Sequence, residues 1–324
     1  MEMRWKGLKW FVLSVFVLTI VCLPASTVKA EYVEGDSRYW EEDDDGNDYF
    51  KEKDGFVYCI SKNKVTVREI LLEDKEVTIP ESIDGYPVVE FRGDMESETE
   101  TLYLPKTLKK IYIEGPYTAD YIYHLKNIIV DKDNPKFSSK NGILYNKKKT
   151  VLVRCPYARK NVTIPKSVRT IQANAFFSVQ LRKIIIPDTV KTIERAAFSG
   201  CTKLKSIKLS KNLQVLHDRT FEECLNLKTI KIPDSVEKIE ELAFFLCRNL
   251  QSVEIGENLK DIDEEVFMGC KKLKKITVKT EKLKYFPFPT TRDIGKKKNV
   301  LIIAKKDSYV YRIAKKKGFK VRAF

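Results

Sequence analysis

Between Asn161 and Lys275 the chain runs five times through one pattern of apolar and polar positions. Phe198, Phe221, Phe244 and Phe267 lie 23 residues apart, and Phe176 lies 22 before the first of them. Leu181, Leu204, Leu227, Leu250 and Leu273 keep the step of 23 throughout. A fixed period of this length is the signature of stacked structural repeats. Within one unit, Ile230 and Ile232 alternate with Thr229 and Lys231, which predicts a short strand with one buried face. Pro233 ends it. Val236, Ile239, Ala243 and Phe244 then lead the chain back to the core, and the i, i+4 spacing of Ala243 and Cys247 predicts one short helical turn. Leu250 closes the coil. Stacked units set their strands side by side at about 4.8 Å in a parallel sheet. Each well-buried apolar side chain contributes about 1.5 to 3 kcal/mol, so the five or six in one coil outweigh lost chain entropy only when neighbouring coils cover them.

The ends of the chain read differently. VLIIAKKDSYVYRIAKKKGFKVRAF predicts strand, helix and strand, with Asp307 or Ser308 capping the helix start and Gly318 its end. This segment would close the open edge of the sheet. At the other end, Arg4, Lys6 and Lys9 precede an apolar run from Trp10 to Leu23, with small Ala30 beyond it. That is the layout of a signal peptide cleaved after Ala30, and the run is shorter than the roughly 20 residues that span a bilayer.

A resemblance follows from the motif I-x-I-P-x-S-V-x-x-I-x-x-x-A-F-x-x-C-x-x-L, as it stands from Ile230 to Leu250. It is similar to the units of the BspA-like leucine-rich-repeat family. Gly55 to Phe91 resembles the opening unit of such arrays, and Ile128 to Pro156 looks like a recurrent insertion ending in a hairpin around Asn141 and Gly142. Residues 92 to 125 depart from the pattern. The expected fold is a mixed α/β solenoid, a leucine-rich-repeat array of about 23-residue coils with a parallel β-sheet and a β-α-β C-terminal cap. The expected organisation is a signal peptide at 1–30, an acidic flexible leader at 31–54, divergent repeats at 55–113, an insertion with a hairpin at 114–160, regular repeats at 161–282 and the cap at 283–324. The resemblance implies a non-catalytic, secreted or surface bacterial protein that mediates protein binding or adhesion.

Charge widens the set of partners. The chain holds 60 Lys and Arg against 45 Asp and Glu, a net charge of +15. The acids Glu41, Glu42, Asp43, Asp44 and Asp45 form a run in the leader, while lysine crowds the C-terminal sixth. A basic excess attracts polyanions, so the expected partner is a protein ligand or an anionic surface polymer. No specific nucleic acid is expected, because aromatic side chains do not interleave with the lysines. An alternative to adhesion is a wall-associated scaffold held electrostatically by the basic C-terminal region; a third reading is a secreted hydrolase with an unrecognised site.

Candidate chemistry is sparse. Cys201, Cys224, Cys247 and Cys270 occupy one repeat position, which Val179 fills in the preceding unit, so they predict a ladder of buried free thiols rather than disulfides. Zinc would need clustered short cysteine spacings or nearby histidines. His217 sits at a position held elsewhere by Gln172, Glu194, Glu240 and Asp263, and His124 has no nucleophile motif beside it. No catalytic residue, metal or cofactor is expected. The binding surface expected from the pattern is the outward row of the sheet: Lys183, Ser206, Lys208, Thr229, Lys231, Ser252, Glu254, Lys275 and Thr277. These side chains either hold a partner along the solenoid or only solvate the sheet. Arg92, Gly93 and Asp94 spell an adhesion tripeptide, expected on a loop after a strand.

Overall fold

The computed structural model describes residues 50–95, 98–112, 124–290, 294 and 299–324, all within the compact unit Asn47–Phe324. The signal-peptide reading and the acidic run lie outside the described residues. The chain forms a β-solenoid of about 10 turns.

Antiparallel strands open it. Lys51–Lys53, Phe56–Ser61 and Lys64–Ile70 form a meander, after which pairing turns parallel: Lys64–Ile70 bonds to Tyr86–Met95, which bonds to Lys110–Tyr112. Glu76–Thr78, Thr101–Leu104 and Asn127–Val130 make a second parallel row. A hairpin interrupts the stacking, Phe137–Lys140 against Ile143–Asn146. Its turn places Asn141 and Gly142 at φ 52° and 70°, the backbone that favours Asn-Gly.

In the regular region each coil has three sides. The first carries the longer strands: Lys183–Ile185 pairs with Ser206–Lys208, and a second row pairs successively from Thr229–Lys231 to Ser252–Ile255, Lys275–Val278, Leu301–Ala304 and Lys320–Ala323, every pair in parallel. Two-residue strands such as Val215–Leu216, Lys238–Ile239 and Asp261–Ile262 make the second.

The third side corrects the expected helical turn. In an α-helix the Cys247 N–H would donate to the Ala243 carbonyl. That carbonyl instead accepts from Phe221 N of the preceding coil at 2.9 Å, while Cys247 N donates to Phe244 O at 3.1 Å. Bonds within the coil thus alternate with bonds between coils. Two residues per coil take positive φ, among them Leu242 (56°) and Leu246 (54°), a backbone that no right-handed helix contains. The mixed α/β description is corrected accordingly: among the described residues the one helix whose whole course is described is Tyr309–Lys316. Ser308 caps it, its side chain accepting from Tyr311 N at 3.3 Å. The flanking strands Leu301–Ala304 and Lys320–Ala323 extend the sheet.

Ladders of identical side chains fill the interior. Phe176, Phe198, Phe221, Phe244 and Phe267 stack with ring centroids 4.8, 5.6, 5.6 and 6.0 Å apart, close to the strand spacing that the backbone imposes. Leu181, Leu204, Leu227 and Leu250 are fully buried in the same core. A second cluster, from Phe56 to Leu144, serves the divergent coils.

Candidate functional site

The longer strands place the expected surface residues in register. Lys183 lies beside Ser206, Thr229 beside Ser252 and Ser252 beside Lys275 in one row. Lys231 lies beside Glu254 and Glu254 beside Thr277 in the next, and Lys208 opposes Ile185. Between the rows Ile184, Ile230, Val253 and Ile276 point into the core. This is the period of two acting on a sheet with one wet face: all nine residues are exposed or half-buried. Ile185, 54 % exposed, adds an apolar side chain to that face.

Glu254 is the one acid of the face. Lys279 lies 2.9 Å and Lys231 3.4 Å from its carboxylate. The hydrogen bond from Lys279, with that from Lys231, holds its carboxyl below the usual range against the opposing cost of partial burial. The same bond raises the Lys279 ammonium.

Arg92, Gly93 and Asp94 are not on a loop, which corrects the expected setting of the tripeptide. They lie inside strand Tyr86–Met95, with Asp94 opposite Glu69 on one side and Arg92 opposite Tyr112 on the other. Arg92 pairs with Glu90 at 2.9 Å and its guanidinium stands 5.0 Å over the Tyr112 ring. A Cβ on Gly93 would fall 1.5 Å from the Arg68 carbonyl oxygen, so close strand packing already explains the glycine.

The thiols of Cys201, Cys224, Cys247 and Cys270 donate to the carbonyls of Phe176, Phe198, Phe221 and Phe244 at 3.0 to 3.3 Å. All six described cysteines are free. Burial pushes Cys155 and Cys247 up to about 12 and raises Cys201 and Cys224 as well, so these thiols stay protonated and inert at neutral pH. His217 Nδ1 meets Glu240 at 3.0 Å, half-buried on the turn side. Among the described residues no group of three His, Cys, Asp or Glu could hold a metal. No described helix is long and apolar enough to cross a membrane. An open concavity at the helix is lined by Asp307, Tyr311, Arg312, Lys315 and Lys316.

The sequence pattern missed one surface. Immediately before four of the five longer strands of the regular coils stand Arg182, Lys205, Lys228 and Lys274, all exposed; Gln251 precedes the fifth. Tabulating charge by repeat position, rather than along the chain, is the signal that finds them.

Together these features define a repeat solenoid whose parallel sheet presents one solvent face of in-register side chains. Residues 154–274 match the model of the BspA type leucine rich repeat region in six copies; this stretch is a BspA-type leucine-rich-repeat array. The solved structure of pneumococcal vaccine antigen PcpA is similar over 86 % of this chain and 99 % of its own, at 16 % identity and a TM-score of 0.51. A leucine-rich repeat protein from Bacteroides ovatus is similar over 85 % of this chain and 77 % of its own, at 20 % identity and a TM-score of 0.48. A leucine rich cell surface protein from Faecalibacterium prausnitzii is similar over 75 % and 96 %, at 15 % identity and a TM-score of 0.44. No curated protein sequence matches the chain.

Proposed function

We propose that this protein is an exported, non-catalytic protein of a bacterial cell surface that holds a protein partner on the solvent face of its longer strands. The observation that carries the reading is the exposure of Lys183, Ser206, Lys208, Thr229, Lys231, Ser252, Glu254, Lys275 and Thr277 on the longer strands of five successive coils, in register within two groups, Lys183 to Lys208 and Thr229 to Thr277. Solenoids bind partners along such surfaces because each repeat adds an equivalent contact. The family of residues 154–274 supports the reading. The charge and apolar layout of residues 1–30 supports export. The C-terminal strand, helix and strand serve as the cap of the array.

Binding of the purified chain to immobilised host-matrix proteins at low and high salt tests the function. Retention at high salt is expected, since a packed interface outlasts the screening of exposed charges. Thr229→Glu with Ser252→Glu, which sets two like charges side by side in the middle of the face, should abolish it. Equal retention of this variant would place the partner elsewhere.

A further inference from the structure

The regular coils separate their charges by side. The four residues that precede each longer strand, at 179–182, 202–205, 225–228, 248–251 and 271–274, include eight Lys or Arg and no Asp or Glu. The short-strand and turn sides, at 163–178, 186–201, 209–224, 232–247 and 255–270, hold 14 Asp or Glu against eight Lys or Arg, with the acids in the last four of these coils. Backbone bonds join these positions within two groups of neighbouring coils: Lys205 N donates to Arg182 O at 2.9 Å in the first, and Gln251 N to Lys228 O at 2.8 Å and Lys274 N to Gln251 O at 2.9 Å in the second. Within each group neighbouring coils therefore present these positions about 4.8 Å apart along the axis, with uncharged Gln251 between Lys228 and Lys274. All eight cations are exposed. None of Arg182, Lys205, Lys228 and Lys274 forms an ion pair with a described carboxylate, whereas on the other sides Lys260 meets Glu237 at 2.7 Å and Arg195 meets Asp218 at 2.8 Å. None of the eight belongs to the nine residues of the proposed protein-binding face.

We infer that this strip is a second docking surface, which takes a linear phosphodiester polymer laid across the coils. The shape follows from the charges: cations on five successive coils, without interleaved acids, match an extended polyanion better than a globular partner with mixed charge. The chemical class follows from what the strip lacks. Bases and sugar rings are gripped by stacking on aromatic side chains, and the twenty positions contain no Phe, Tyr or Trp. Most of its cations are lysines, compact charges that suit phosphate without demanding the planar fork geometry of arginine. The ligand is therefore a ring-free polymer bound through its phosphates alone. Such binding releases counterions and falls steeply with salt, unlike the protein interface above.

The test is binding of the purified chain to poly(glycerol phosphate) over a salt series, with heparin and oligothymidylate as ring-bearing polyanions. Lys205→Gln, Lys228→Gln and Lys274→Gln together should weaken poly(glycerol phosphate) binding by about tenfold or more and reduce the salt slope by about two. The control triple Lys191→Gln, Lys211→Gln and Lys260→Gln removes the same charge from the other sides and should change affinity less than about twofold by the same logic. Both triples keep the core intact, which an unchanged thermal midpoint verifies. Equal losses in the two triples would reduce the effect to net charge and overturn the strip. Tighter binding of heparin or oligothymidylate would overturn the polymer class, and no binding of poly(glycerol phosphate) would overturn the inference altogether. Retention on matrix proteins at high salt should survive in the strip triple, so the two surfaces fail separately.

Discussion

At the residue scale the cysteine ladder is the most informative position. A sulfur was the right size for a packed row, and Val179 at the same place in the first regular coil shows that the site asks for a small apolar group. The structure adds a direction, with each thiol donating to a phenylalanine carbonyl of the preceding coil. Burial raises Cys247 from an ordinary 9.0 to about 12. A thiol whose folded pKa lies above its unfolded value contributes stability that is complete below pH 9 and is lost as pH rises toward 12. Cys247→Val should therefore flatten the decline of stability across that window. At pH 7 it should cost less than about 1 kcal/mol, because the Phe221 carbonyl keeps its bond from Cys224 N at 3.2 Å and only one weak donor is lost. Chemical denaturation at pH 7 and at several values above 9 measures both; an unchanged alkaline slope would contradict the assignment.

Among the elements, the turn side departs furthest from what the pattern suggested. Asn174, Gly200 and Gly269 suit a left-handed backbone, but Ser178, Ala196, Arg219, Glu223, Leu242, Leu246 and Glu265 adopt it as well. Ordinary residues pay about 1 kcal/mol or more for that conformation. They hold it because alternate N–H groups of the turn are committed to carbonyls of the next coil, such as Phe244 N to Val266 O at 3.1 Å. Glu265, exposed and at φ 57°, isolates the effect. Glu265→Gly should stabilise the protein by about 0.5 kcal/mol, the relief of strain less the entropy of an added glycine. Glu265→Val, with a branched Cβ, should destabilise it by about 1 kcal/mol. Thermal unfolding that ranks the two in the opposite order would show that backbone strain does not govern the turn. The strands and the core side chains were legible in the sequence, because period and burial are both carried by apolar positions. The turn was not, because i, i+4 spacing is shared by a helix and by this pair of left-handed steps, and only hydrogen bonds to another coil separate them.

Over the whole molecule, stability is cooperative between neighbours, since a coil buries its face only against the next one. The terminal strand, helix and strand extend the sheet beyond Lys275–Val278. Removing residues 301–324 leaves that strand with an unpaired edge, which favours edge pairing. The truncated chain should self-associate at concentrations where the full chain stays monodisperse, as read by size-exclusion chromatography with light scattering; a truncated chain that stays monodisperse would remove the capping role. The amino-acid sequence by itself determined the period, the identity of the buried ladders and which residues alternate outward, because these depend on spacing along the chain alone. Tertiary structure decided the rest. It fixed the handedness of the turns and drew the Arg92–Gly93–Asp94 tripeptide into a paired strand. Those outcomes depend on where the chain bends and which coil each N–H meets, and contacts made across 23 residues leave no mark in local spacing.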